Sequence, residues 1–386
     1  MQVMAAYLDH AAGSPMRAAA AAALVEALGR AGNPSSVHRH GQAARAMLED
    51  ARERLAALLD CAPLDVVLTS GGTESVNLAI TGAYRAGAAA GRRGVLAPGG
   101  EHAATVETID ALVSSEGAEL VPLPVDGDGR LSPAVLTGAL DEHGAPALVT
   151  ALWANNEVGT VNDVPALAGA ARAAAVPLHV DAVAAFGSVP VRFRASGAAL
   201  LSVSAHKVGG PPGIGALVVD RSVRLEPVLH GGGQERGLRS GTQQAAAARA
   251  FAVAAEAATE DLEREADRLR RLRDRALAGV LAALPGAVVR GADPAVPGAR
   301  LPGNLHLTVP GANGEDLLLL LDMAGVSVST GSACLAGVAR VSPVLLAMGL
   351  PAEEARGALR ITFGHSSTEA DVDALLAALP ALAAVA

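Results

Sequence analysis

Between about residue 65 and residue 220 the chain alternates short apolar or β-branched runs with longer stretches whose apolar positions recur at helical spacing. Runs of the first kind read as strands and stretches of the second as helices. The pattern predicts strands over 65–69, 94–97, 119–123, 147–152, 177–180, 200–204 and 214–219, with helices over 73–86, 103–114, 132–140 and 164–174 between most of them. Strands separated by helices form βαβ units, and these build a mainly parallel sheet covered on both faces. Ligands of such sheets bind beyond the carboxyl ends of the strands.

Upstream, 36–60 reads as one amphipathic helix with a Pro-Ser-Ser start signal at 34–36. Downstream, 243–284 reads as one long helical stretch, and the mixed charge signs over 260–275 mark a solvated face rather than a basic patch. This helix is expected to lead into a second, α+β domain. There the pattern predicts strands at 305–309, 326–329 and 359–363 and helices at 314–324, 343–348 and 368–384. No internal repeat or low-complexity linker interrupts the chain.

Composition narrows the function classes. With 386 residues, 51% hydrophobic and 18% charged, the chain is neither disordered nor fibrous. A net charge of -9 argues against nucleic-acid binding, which needs a basic face. Two cysteines, Cys61 and Cys334, allow no disulfide framework and no multi-thiolate metal site, as expected of a protein in a reducing cytoplasm. The first residues lack a secretory pattern. The most apolar run, 317–321, ends at Asp322, short of the ~20 residues that span a bilayer. Neither membrane nor metal is expected.

Lysine use is the sharpest compositional signal. Among 30 basic side chains only one is a lysine, Lys207. A guanidinium keeps its proton, whereas an amine can lose it and become a nucleophile. Lys207 follows a predicted strand in Ser-Val-Ser-Ala-His-Lys-Val-Gly-Gly, where Ser204 and His206 can donate to an anion. Asp181 ends the apolar run Leu-His-Val-Asp, so it either caps the Ala-rich segment that follows or faces a cation in the same crevice. A lysine for an aldehyde and an aspartate for a ring nitrogen are the pair that pyridoxal phosphate requires. Thr69-Ser-Gly-Gly-Thr-Glu-Ser, between a strand and a helix, supplies a phosphate cradle through Gly71, Gly72 and Thr73.

With these residues in place, the chain resembles the cysteine desulfurases of the NifS/IscS type, class-V aminotransferase-like enzymes. The resemblance runs through Tyr7-Leu-Asp-His-Ala-Ala, Gly32-Asn-Pro-Ser-Ser-Val-His, the cradle, Glu101-His, Asn155-Asn-Glu-Val-Gly, His179-Val-Asp-Ala, Ser204-Ala-His-Lys, His230-Gly-Gly-Gly, Arg239-Ser-Gly-Thr, Ser329-Thr-Gly-Ser-Ala-Cys and Leu359-Arg-Ile. It implies the aspartate aminotransferase-like, type I fold. A large domain over 15–250 would carry a mainly parallel seven-stranded sheet, and residues 1–14 and 251–386 would form a smaller α+β domain bearing the catalytic cysteine.

The resemblance also implies roles. Lys207 would hold pyridoxal 5'-phosphate as a Schiff base and Asp181 would hold its ring nitrogen. His102, otherwise a helix-start residue, would stack on the ring and assist proton transfer. Asn156 would bond the phenolic oxygen, while Gly72, Thr73, Ser204 and His206 would hold the phosphate. Thr242 would reach the phosphate of a neighbouring subunit, which implies a homodimer. Arg360 and Asn33 would bind the carboxylate of L-cysteine. Cys334, either a small buried residue or a thiol on a mobile loop, would take the sulfur as a persulfide and pass it to an acceptor protein for iron–sulfur or thionucleoside synthesis. Cys61 is expected to be structural.

Two positions depart from the family pattern: Ala184 stands where glutamine is usual, and Gln234 where histidine is common. The interval from Cys334 to 347–349 has the length of the long-loop subgroup. Other class-V chemistries (selenocysteine lyase, cysteine sulfinate desulfinase, small-amino-acid aminotransferase) need no accepting thiol, and an idle scaffold would need no lysine.

Overall fold

The computed structural model describes residues 6–331 and 341–383. All seven expected strands form, and across the sheet they run Val66–Thr69, Gly215–Val219, Leu200–Ser204, Leu178–Asp181, Leu148–Leu152, Gly94–Pro98 and Glu119–Leu123. Only Gly215–Val219 runs against its neighbours; the other pairings are parallel. Four of the inner strands are buried at every position, which is why they read as continuous apolar runs rather than alternating ones. The edge strand Glu119–Leu123 is mostly exposed and carries Pro122, a residue that an edge tolerates because it has no N–H to offer a neighbour.

The helices between strands start where their caps dictate. Ser132 accepts from the Ala134 amide and Asp163 from the Ala166 amide, each followed by a proline suited to the first turn. Two expectations need correction. The stretch 243–284 is not one helix but two, Ala245–Thr259 and Leu262–Ala283. They break at Asp261, whose φ of -124° and ψ of 43° are not helical. A helix that the hydrophobic pattern did not predict covers Ala18–Leu28, where alanine after alanine leaves no contrast between faces. Its Ala20 and the Ala248, Ala252 and Ala255 side of Ala245–Thr259 belong to one apolar cluster with the sheet.

A second apolar cluster lies in the C-terminal third. Asn304–Thr308 is flanked antiparallel by Ala358–Thr362 and Val288–Val289, and Leu305, Leu307, Leu359 and Ile361 pack on Leu269, Leu272, Val280 and Leu375. The start of the chain joins this cluster. Ala6–Tyr7 pairs in parallel with Val326–Ser327, Leu8 is fully buried there, and Asp9 bridges to Thr362. Of the expected strand 326–329 only Val326–Ser327 is regular; Ser329 makes an isolated bridge to Arg360.

Candidate active site

Parallel strands bring their carboxyl ends to one edge of the sheet, and the chemistry-bearing residues stand there. Asp181 and Ser204 are the last residues of their strands, and Lys207 ends the single turn Ala205–Lys207 that follows Ser204. Thr69 ends a third strand and leads through Gly71 into the helix Gly72–Ala88. Two glycines are needed for that turn to approach the neighbouring strands. A Cβ on Gly72 would lie 2.8 Å from Val183 Cγ2, and one on Gly215 would lie 2.7 Å from Gly71 Cα.

The amine of Lys207 donates to the carbonyl of Ala12 at 3.0 Å and to that of Ala11. Burial, and then the nearby Arg360, lower its pKa to about 8, while Asp9 and Asp181 pull the other way. Ser204 Oγ and His206 Nδ1 share a hydrogen bond of 2.7 Å. Burial, Lys207 and His102 push His206 down to about 4, so it is a neutral ring at pH 7. Asp181 is buried and its Oδ1 accepts from the Val183 amide at 2.9 Å. Burial raises its pKa; the Val183 amide and the charges of His102 and Lys207 oppose this.

His102 fulfils its helix-start reading and remains at the site. Its Nδ1 accepts from the Ala104 amide at 3.1 Å, which leaves the proton of the neutral ring on Nε2. Its pKa is lowered first by burial, against Asp181 and with Lys207.

Arg360 lies in the strand Ala358–Thr362 of the smaller sheet, 4% exposed. Its guanidinium donates to the Asn156 carbonyl at 3.0 Å and to Asp9 Oδ1 at 2.8 Å, and its Nε has no partner. The other buried side-chain atoms without a partner among the described residues are Glu101 Oε2, Thr105 Oγ1 and both ring nitrogens of His306. Glu101 adjoins His102 in sequence, and His306 is the register partner of Arg360. Glu101 is within electrostatic reach of Asp181, and His306 of Arg360.

Ala184 lines a cavity together with Asn156 and Lys207. Gly72 and the exposed Thr73 open the helix at the cradle. Asn33 and Thr242 are exposed, and neither bonds to the residues above; the Asn33 side chain accepts the Ser35 amide at 2.9 Å. Cys334 lies outside the described residues. Cys61 is half-buried beneath the helix Arg39–Leu59, its thiol pushed up to about 12 by burial and then by Asp65 and Asp60. An inert structural thiol is what that environment makes. Sequence reasoning assigned no role to Asp9, Glu101 or Glu157, although each stands in a quoted motif. Glu101 is buried, and burial with Asp181 raises its carboxyl to about 8.

What the arrangement offers chemically is an anion cradle, a buried carboxylate and an amine that gives up its proton readily, all beside a partly satisfied guanidinium. The family model for aminotransferase class-V matches residues 6–375. An IscS-like cysteine desulfurase of Mycobacterium tuberculosis is 48% identical over 377 residues, 97% of this chain and 95% of the relative. Cysteine desulfurase IscS 1 of Archaeoglobus fulgidus is 40% identical over 349 residues, 90% of this chain and 89% of the relative. Among solved structures, a NifS-like protein superposes with a TM-score of 0.90 at 31% identity, covering 99% of this chain and 100% of that one.

Proposed function

We infer the division of labour in this site from one premise: the chain belongs to the class-V aminotransferases and, within them, is a pyridoxal phosphate-dependent cysteine desulfurase of the NifS/IscS type, acting on L-cysteine. The residues fit that cofactor. The turn at Gly71 and Gly72 opens a helix N-terminus to an anion and has no room for a side chain at Gly72. Asp181 is a buried carboxylate whose charge calls for a cationic partner, as a protonated ring nitrogen would be. When bound, the cofactor supplies the electron sink that acidifies the substrate's Cα–H.

Lys207 Nζ would hold the cofactor, and as a free amine would take the Cα proton, a task suited to a group whose pKa is lowered to about 8. Asp181 would keep the ring nitrogen protonated, and His102 would lie over the ring and move protons through Nε2. Gly72, Thr73, Ser204 and His206 hold the phosphate. Asn156 bonds the phenolic oxygen, without the second bond that a glutamine at Ala184 would add. Arg360 and Asn33 hold the substrate carboxylate.

The Cys334 thiolate attacks the substrate sulfur. The new S–S bond forms as the substrate's C–S bond breaks, its electron pair stays with the carbon fragment, and two protons complete L-alanine. The balance is L-cysteine plus one thiol giving L-alanine plus one persulfide. An acceptor protein then takes the sulfur for iron–sulfur or thionucleoside synthesis in the cytoplasm.

Thr242, exposed in one chain, serves the phosphate of a second copy in a homodimer. Two domains divide the work, the larger from about residue 15 and the smaller from residues 1–14 and the C-terminal third. The separation of the first apolar cluster from the C-terminal one supports this division, and a small cluster of Val158, Val344, Leu345 and Met348 joins the two parts. Ala252, Ala254, Ala255 and Ala258 pack with the first cluster, which supports a joint near the helix break at Asp261.

One observation carries the reading: the chain's single lysine stands at the sheet edge within the electrostatic reach of both Asp181 and Arg360. The test is alanine released from L-cysteine, with a thiol reductant present, by the parent and by Cys334→Ala. Alanine from the parent alone is expected, with the variant still yellow. Equal rates from both would assign chemistry that needs no accepting thiol.

A further inference from the structure

A buried carboxylate stands where the two flanks of the Cys334 segment meet the body of the protein. Glu157 is 5% exposed and its Oε2 accepts from Ser342 Oγ at 2.5 Å. Ser342 is itself buried and caps the helix Pro343–Ala347, accepting the Leu345 amide at 3.2 Å. The other flank reaches the same group. Gly331 is buried with φ of +94°, and a Cβ there would lie 3.2 Å from Glu157 Oε2 and 3.3 Å from His306 Nε2. Residues 331 and 342 therefore both lie against one carboxyl group.

That carboxyl group is tied to the substrate clamp. Arg360 donates to the carbonyl of Asn156, the residue before Glu157, at 3.0 Å. Ser329, two residues before Gly331, exchanges backbone hydrogen bonds with Arg360 at 3.1 and 2.6 Å. A buried carboxyl group is costly where an apolar side chain would pack as well, so its retention calls for a role that needs an acceptor. Burial raises the pKa of Glu157, with the Ser342 hydroxyl and Arg360 acting against it.

We propose that Glu157 is a positioning residue for sulfur transfer, holding Ser342, on the far side of the Cys334 segment from Gly331, against the turn whose Asn156 carbonyl holds Arg360. The inference rests on the desulfurase reading. Tying Ser342 to the turn that orients Arg360 sets the position of this flank relative to the bound substrate. Glu157 touches neither substrate nor cofactor in this role.

The experiment uses the holoenzyme and separates the thiol step from substrate binding. Steady-state alanine formation gives kcat and KM for L-cysteine, and the change in cofactor absorbance with L-alanine, which has no sulfur to transfer, gives the affinity of the clamp. Glu157→Ala is expected to lower kcat by roughly tenfold or more, since small misplacements of reacting groups are expensive, and to leave L-alanine affinity within about twofold. Glu157→Gln keeps an acceptor for the Ser342 hydroxyl and is expected to recover most of kcat. Ser342→Ala should lower kcat in the parent and add little in Glu157→Ala.

Parental kcat in Glu157→Ala would overturn the proposal. So would equal losses of kcat and L-alanine affinity in both Glu157 variants, the mark of a merely structural residue. Should Glu157→Ala not fold, Ser342→Ala and Gly331→Ala carry the same expectation of reduced kcat at unchanged L-alanine affinity. A parent that releases no alanine overturns the desulfurase reading itself, and this role with it.

Discussion

Arg360 and Asp9 stand 351 positions apart in the chain and 2.8 Å apart in the fold, guanidinium nitrogen to carboxylate oxygen. The contact leaves the guanidinium oriented by two oxygens, Asp9 Oδ1 and the Asn156 carbonyl, with one nitrogen unclaimed. A lysine could offer charge but not that planar fork. Arg360→Lys is therefore expected to raise KM for L-cysteine about 10- to 100-fold, the equivalent of one or two charged hydrogen bonds. Asp9→Asn should have a smaller effect on KM. It should also lower the pKa of Lys207 further, because Asp9 is one of the two groups holding it up. Steady-state kinetics check the first, and the pH dependence of the rate at which the Lys207 amine of the cofactor-free protein reacts with an aldehyde checks the second.

Gly72→Ala tests the cradle. The new Cβ would sit 2.8 Å from Val183 Cγ2, closer than two carbons approach without movement, and the amide of Val183 is the donor that fixes Asp181. Overpacking of this kind costs about 1–3 kcal/mol. Cofactor binding is expected to weaken by roughly tenfold or more, measured by titrating the cofactor-free protein.

Lys207 makes the cofactor-free protein more stable at alkaline pH. Its pKa falls from 10.5 in the unfolded chain to about 8 in the fold. Between those values the unfolded chain binds more protons, so stability rises with pH over that window. Thermal melts of cofactor-free parent and Lys207→Met should diverge there, the parent gaining and the variant not. A parent curve parallel to the variant's would contradict the burial of the amine.

Glu101 has the opposite sign. Its carboxyl goes from 4.5 unfolded to about 8 folded, through burial first and Asp181 second. The folded protein holds a proton over that range that the unfolded chain has lost, so this contribution is complete below about 4.5 and gone above about 8. Glu101→Gln, which mimics the protonated form, should match the parent in melting temperature near pH 5 and exceed it near pH 8.5.

The strands of the main sheet could be read from the chain because they rest on local signals, short runs rich in apolar residues, three of which end in a polar residue, Thr69, Asp181 or Ser204. Ala18–Leu28 could not, since a run of alanines gives the helical period nothing to modulate. The break at Asp261 lacks the glycine or proline that would announce it. Two-residue strands such as Ala6–Tyr7 are defined only by the partner they find. Glu101 and Glu157 look in sequence like any surface carboxylate; only the fold reveals that both are buried. The contact of Arg360 with Asp9 belongs to the same class, a pairing between opposite ends of the chain.

The entry of the first residues into the C-terminal sheet imposes an order on synthesis. Everything from Val66 to Val219 can assemble into its sheet from contacts made within that stretch. Ala11 and Ala12, whose carbonyls receive the Lys207 amine, follow the strand Ala6–Tyr7, which pairs with Val326–Ser327. Asp9 must wait for Arg360. A nascent chain that has folded its main sheet therefore still lacks the Arg360–Asp9 pair, which arrives only when the strand Ala358–Thr362 is released and meets the beginning of the chain.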